Sequence, residues 1–95
     1  MITVIAKQIV KEGMVEQFKE SVKPLIAETR EEAGCIKYEL AQDVNDKKVL
    51  AMVEAWESME HLQAHMQSKH FLAAMPKLAG FMEKEADVNI YQTVL

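Results

Sequence analysis

Glu54-Ala55-Trp56-Glu57-Ser58-Met59-Glu60-His61-Leu62-Gln63-Ala64-His65-Met66-Gln67-Ser68-Lys69-His70-Phe71 is the stretch whose reading decides the fold. It holds the single tryptophan and all three histidines, and it joins the clearest strand pattern to a clear helical one. Ser58 suits a helix N-cap, where its hydroxyl accepts from a free backbone N–H of the first turn. Glu60 then puts negative charge near the positive end of the helix dipole. Met59, Leu62 and Met66 recur at helical spacing and form an apolar stripe. His61 and His65 are four apart and stand on neighbouring turns of one face.

Upstream, residues 47–56 read as a strand. Val49, Ala51, Val53 and Ala55 make one face, and Leu50, Met52, Glu54 and Trp56 the other. A strand apolar on both sides belongs in the middle of a sheet, covered on both faces. Asp43-Val44-Asn45-Asp46 is a hairpin loop by composition. Cys35 to Gln42 alternates, with Ile36, Tyr38 and Leu40 facing one way and Lys37 and Glu39 the other. Before it, Met14, Phe18, Val22, Leu25, Ile26 and Thr29 share one face of a long helix. Pro24 predicts a kink there, and Gly34 suits the stop. Ile2 to Val10 is β-branched and reads as the first strand, with Lys11-Glu12-Gly13 as the turn after it. Downstream, a second helical run from His70 to about Met82 carries Phe71, Met75, Leu78 and Met82 on its apolar face. Pro76 and Gly80 weaken that run. Ala86 to Val94 closes the chain as a strand.

The order is β-α-β-β-α-β, the ferredoxin-like pattern. It predicts an α+β fold, with a four-stranded antiparallel sheet and helices packed on one face. The other face stays open, and on the central strand it is apolar. An exposed apolar patch of that size marks an interface, so a homodimer with the two sheets face to face is expected.

Ninety-five residues predict a single domain, 1–95. A chain this short buries only ~60–65% of the surface it exposes when unfolded, so its core is thin. The formal net charge of −4 weighs against a nucleic-acid partner, which calls for a basic stripe, and against an anionic membrane surface. Cys35 is alone, so neither a disulfide framework nor a cysteine zinc cluster is expected. No apolar run approaches the ~18–20 residues of a membrane span, and the start lacks a signal-peptide pattern. A cytoplasmic location is the expectation.

No Gly-x-Gly-x-x-Gly loop, P-loop or Ser-His-Asp order is present, so nicotinamide and flavin have no visible home. His61 and His65 have the spacing of a metal-binding pair, but the zinc-protease pattern needs glutamate after the first histidine, and here Leu62 follows. No acidic or sulfur ligand is arranged beside the pair by spacing. No cofactor and no metal are expected, and His61 is expected to face solvent.

Glu-x-Trp-Glu-Ser, His-Leu-x-Ala-His and Ser-x-His-Phe in the opening stretch resemble the central signature of the antibiotic biosynthesis monooxygenase domain, in particular its quinol monooxygenase-like branch. Met1-Ile2-Thr3-Val4-Ile5-Ala6, Lys11-Glu12-Gly13 and Glu32-Ala33-Gly34-Cys35 agree with that resemblance. It implies a dimeric α+β barrel and a cofactor-independent monooxygenase that oxidises a quinol or polyphenol with O2. A relative, the isomerase of phosphorylated autoinducer-2, needs a basic phosphate site for which no motif is visible. The haem-degrading branch carries asparagine, tryptophan and histidine where this chain has Ala6, His65 and Met75, so haem chemistry is set aside. A small dimeric domain that binds a ligand without turning it over remains open.

On this resemblance His65 is the candidate base, since a neutral imidazole can take a phenolic proton near neutral pH. The plain alternative is a half-buried histidine bonded to a backbone carbonyl. Trp56 is the candidate aromatic wall, or else core packing. Tyr38 and Tyr91 offer hydroxyls to a quinol oxygen. Glu54, a carboxylate on an apolar face, must be paired or have a raised pKa. Met66 and Phe71 complete the candidate substrate site, and His70 either caps a helix or lines its mouth.

Overall fold

The computed structural model describes residues 1–95. Strand β1 spans Ile2–Ile9, helix α1 Val15–Arg30, β2 Cys35–Gln42, β3 Val49–Trp56, α2 Met59–Met66, α3 Lys69–Ala79 and β4 Asp87–Gln92. The four strands form one antiparallel sheet in the order β2-β3-β1-β4. The fold is ferredoxin-like, with the second helical layer divided into α2 and α3.

β3 is central, as its two apolar faces require. Leu50, Met52, Glu54 and Trp56 are buried under the helices beside Ile2, Val4, Ala6 and Gln8 of β1. On the opposite face Val49, Ala51, Val53 and Ala55 are half-buried and Ile5 is exposed. That face is uncovered within the single chain, so cover on both sides requires something else to pack there. β4 is exposed along its whole length, Val88 and Ile90 included. The helices lie over β1, β2 and β3 and leave that edge uncovered.

α1 buries Phe18, Val22, Leu25 and Thr29 and runs unbroken through Pro24. Ser58 caps α2 by accepting from the His61 N–H at 3.3 Å, and Ser68 caps α3 by accepting from the Phe71 N–H at 3.3 Å. Two capping serines ten residues apart explain why the helical layer divides. α3 ends at Ala79, three residues before the expected Met82, and Met82 instead bridges to Val10 beyond the end of β1. Gly13 and Gly34 adopt positive φ, 78° and 80°, the left-handed region that glycine enters without strain. Gly34 sits in the turn between α1 and β2, directly against the His61 ring.

Candidate active site

A cavity of about 130 Å³ lies between the buried sheet face and the helices. Val4, Ala6 and Gln8 of β1, Tyr38 of β2, and Met52 and Glu54 of β3 line its sheet side. Leu25 of α1, Leu62, His65 and Met66 of α2, and Phe71 and Met75 of α3 line its helix side. Val88 and Ile90 of the exposed β4 form one rim. Thirteen of its sixteen lining residues are hydrophobic. An apolar cavity of ~150 Å³ is enough to hold benzene, so this space suits one aromatic ring.

His65 brings chemistry to that wall. α2 points it inward beside Leu62, and its side chain is 1% exposed. Nδ1 lies 2.8 Å from Glu32 Oε2. A carboxylate partner places the proton on Nδ1, so in the neutral ring Nε2 is an acceptor. Nε2 is buried and has no hydrogen-bond partner. Burial pushes the His65 pKa below its ordinary value, and the Glu32 contact opposes that. The imidazole is therefore held neutral, in one tautomer, on the cavity wall.

An aromatic cage fixes the ring. Trp56 lies 4.8 Å away at 34°, Phe71 4.8 Å at 65° and Tyr38 5.3 Å at 65°, by ring centroids. Trp56 is fully buried and stands behind His65, away from the cavity lining. The aromatic rings on the lining are those of Phe71 and Tyr38, and Trp56 is not among the lining residues. At the end of β3 the indole is fully buried, with the His65 ring packed against it.

Trp56 Nε1–H donates to Glu54 Oε1 at 3.0 Å. Glu54 is 6% exposed, and burial raises its pKa to about 7, against the lowering effect of that bond and helped by the charge of Glu32. Tyr38 is raised well above the ordinary tyrosine range by burial and by the nearby Glu54 charge. Its hydroxyl stays protonated near neutral pH. Met66 and Phe71 are on the lining as expected, whereas Tyr91 is exposed and outside it.

Two further residues, Glu32 and Gln8, went unassigned in the sequence. Glu32, in the turn after α1, accepts from His65 and also lies 2.5 Å from His70 Nε2. Its one visible signal is the spacing Glu28–Glu32, four residues apart where the helix pattern ends. Gln8 lines the cavity with a buried Oε1 that has no partner. His70 lies between Glu32 and Glu28, whose Oε2 is 3.5 Å from His70 Nδ1. His61 is half-buried, with Nδ1 2.8 Å from Ser58 Oγ and its ring over Gly34, so it neither faces solvent freely nor pairs with His65.

An acidic partner does stand beside a histidine pair, although the pair is His65 with His70. The ligand-type atoms of Glu32, His65 and His70 lie within 4.8 Å of one another. Their contacts through Glu32 are 2.8 and 2.5 Å. Ligands ~2.0–2.1 Å from one tetrahedral zinc ion are roughly 3.3 Å apart. The 2.8 and 2.5 Å spacings are those of hydrogen bonds.

The family model described as antibiotic biosynthesis monooxygenase matches residues 1–77. A conserved protein from Methanosarcina mazei Go1 superposes with a TM-score of 0.95 at 38% identity, over 98% of this chain and 92% of that one. A candidate antibiotic biosynthesis monooxygenase from Nitrosomonas europaea superposes with a TM-score of 0.94 over the full length of both chains, at 23% identity, a likeness of fold. An uncharacterised protein of Synechocystis sp. is 29% identical over 83 residues, 87% of this chain. The chain spans 56% of that relative's length.

Proposed function

The chain belongs to the antibiotic biosynthesis monooxygenase family, and on that premise we propose that it is a cofactor-independent monooxygenase acting on a single-ring quinol or polyphenol. The observation that carries this reading is the buried, unpartnered Nε2 of His65, a residue on the lining of an apolar, ring-sized cavity. A ring hydroxyl donates its proton to Nε2. The phenolate, electron-rich in a dry pocket, passes one electron to O2, and the semiquinone and superoxide combine at a ring carbon. Cleavage of the peroxide leaves one oxygen on the ring. The other departs as water, with the proton returned by His65 and the hydrogen displaced from the ring carbon. For a quinol the balance is quinol plus O2 to hydroxyquinone plus water.

The protein's share is orientation, exclusion of water and a positioned base. Tyr38 and Phe71 confine the ring. Gln8 Oε1 is a second acceptor for a hydroxyl remote from His65. No Lys or Arg lines the cavity, which weighs against a phosphorylated substrate. The half-buried apolar face of Val49, Ala51, Val53 and Ala55 supports a homodimer joined through the open sheet faces.

Oxygen uptake by the purified protein against a panel of mono- and polycyclic quinols tests the reading. Turnover of a monocyclic quinol, with the hydroxylated quinone as product, is the expected result. Saturable binding of these compounds without oxygen uptake would instead assign a ligand-binding role.

A further inference from the structure

His65 lines the inner cavity, while His70 lines a separate groove on the outside of the molecule. That groove runs between α1 and α3 and includes Pro24, Glu28 and Lys77. Glu32 joins the two histidines through a single oxygen, Oε2. The exposure of the side chains rises along the line, from 1% at His65 through 15% at Glu32 and 19% at His70 to 59% at Glu28.

We propose that Glu32 and His70 form a proton line that connects His65 in the cavity to the surface at Glu28. The role rests on the reading of His65 as the base. At rest one proton is shared between Glu32 Oε2 and His70 Nε2, and His70 Nδ1–H faces Glu28. When His65 Nε2 takes a proton, the Nδ1 proton of His65 crosses to Glu32 Oε2. The Nδ1 proton of His70 then leaves to Glu28 or to water. One proton enters at the cavity and one departs at the surface, and Glu32 keeps a hydrogen bond to each histidine throughout. Run backwards, the same line returns the proton when the peroxide breaks.

The physical need is clear from the surroundings. An imidazolium at His65 would be enclosed by Trp56, Tyr38, Phe71 and Leu62, with Glu54 only partly ionised near neutral pH. A charge held in such a place is costly. Glu32 is the group through which that charge can leave, and His70, beside Glu28, is the point at which it meets solvent.

The test follows the ring protons of His65 by NMR in isotopically labelled, substrate-free protein. With the line in place they exchange with water rapidly despite full burial. His70→Gln keeps a donor toward Glu32 but cannot pass a proton. Loss of a proton-transfer partner typically costs ~10²–10⁴ where transfer limits the rate, so exchange should slow about tenfold or more in this variant. Lys77→Met, in the same groove but off the line, should exchange as the unmodified protein does. Thermal melting confirms that each variant is folded. Equal exchange in His70→Gln and the unmodified protein overturns the line. Because exchange is read without substrate, this outcome is separate from whether oxygen uptake is found. Where uptake is found, His70→Gln should also change the solvent deuterium isotope effect on turnover, and an unchanged effect counts against the line.

Discussion

Glu32 Oε2 lies 2.8 Å from His65 Nδ1 across 33 residues of chain, and this contact decides which imidazole nitrogen is free for chemistry. With Nδ1 committed to the carboxylate, Nε2 is left as a buried, unpartnered acceptor on a residue that lines the cavity. Glu32 is a positioning residue in this scheme, and His65 is the group that meets substrate.

His65→Ala and His65→Gln should each lose turnover by a factor of about 10²–10⁴, the usual effect of removing a positioned base. Both should still melt cooperatively, because Trp56 and Leu62 keep the corner of α2 and β3 closed. Steady-state oxygen uptake against the best quinol checks this. Turnover within a few-fold of the unmodified protein would move the base to Glu54.

Glu32→Gln should lower the His65 pKa further, since the Glu32 contact is what offsets the effect of burial. The unmodified ring already sits below its ordinary 6.5. The acid limb of the activity profile therefore lies below that value and moves to lower pH in the variant. The groups facing the ring are Glu32 from the turn after α1, His70 from α3, Tyr38 from β2 and Glu54 through Trp56 from β3. NMR titration of the ring carbons reads the shift directly, and an upward shift would contradict the assignment of Nδ1 to Glu32.

Glu54→Gln should change how stability depends on pH. The folded-state pKa of Glu54 is raised from 4.5 to about 7. Its contribution is fully present below pH 4.5 and is lost as pH rises through 7, because the folded protein must then ionise a buried carboxyl. The full effect is about 3 kcal/mol. Glutamine still accepts from Trp56 Nε1–H and carries no charge, so the variant should lose that slope and be the more stable protein at pH 8. Chemical denaturation at pH 5 and pH 8 measures both. His65 contributes the opposite slope, since its lowered pKa costs stability as pH falls below 6.5.

Gly34→Ala should destabilise the protein strongly. The residue has φ of 80°, and an added Cβ would fall 2.2 Å from His61 Cγ. The left-handed conformation alone costs a non-glycine residue ~1–2 kcal/mol, and the His61 ring must also move off its bond to Ser58. Gly13→Ala has the same backbone demand but meets no atom within 4 Å. A larger loss of melting temperature at Gly34 than at Gly13 is the expected pattern.

A Val53→Lys variant should shift a dimer toward monomer, because it puts a charge on the half-buried open face of β3. Analytical ultracentrifugation at micromolar concentration reads the change. A stable monomer of the unmodified protein would dismiss the face-to-face dimer.

Much of the fold was legible along the chain. The alternation of Val49 to Trp56 located the central strand, the apolar rows of Phe18, Val22 and Leu25 located the first helix, and Ser58 marked the start of the second. These are local signals: each strand or helix must bury one face, and that demand is written at a period of two or 3.6 residues. Ser68 carries the same capping signal, and the second helical run, expected from His70, begins one residue earlier at Lys69. His65, Tyr38, Glu54, Met66 and Phe71 could be gathered as candidates because the family resemblance pointed to them and each stood on or beside a face that had to be buried.

The partnerships among those residues were settled by tertiary structure alone. Nothing in the spacing of Glu32 and His65 says that a turn after the first helix will bring a carboxylate to Nδ1 of a ring on the second. Trp56 is read equally well as a cavity wall or as packing until the depth of the corner beneath α2 is known, and only then does His65 come between the indole and the cavity. Periodicity reports which face a residue shares with its neighbours in sequence. Which side chains touch across elements depends on how the helices settle on the sheet, and that is determined by packing of the whole core. Sequence alone therefore determined the order of the elements and the buried face of each, while the pairing of Glu32 with His65 and of His70 with Glu28 exists only once those faces meet.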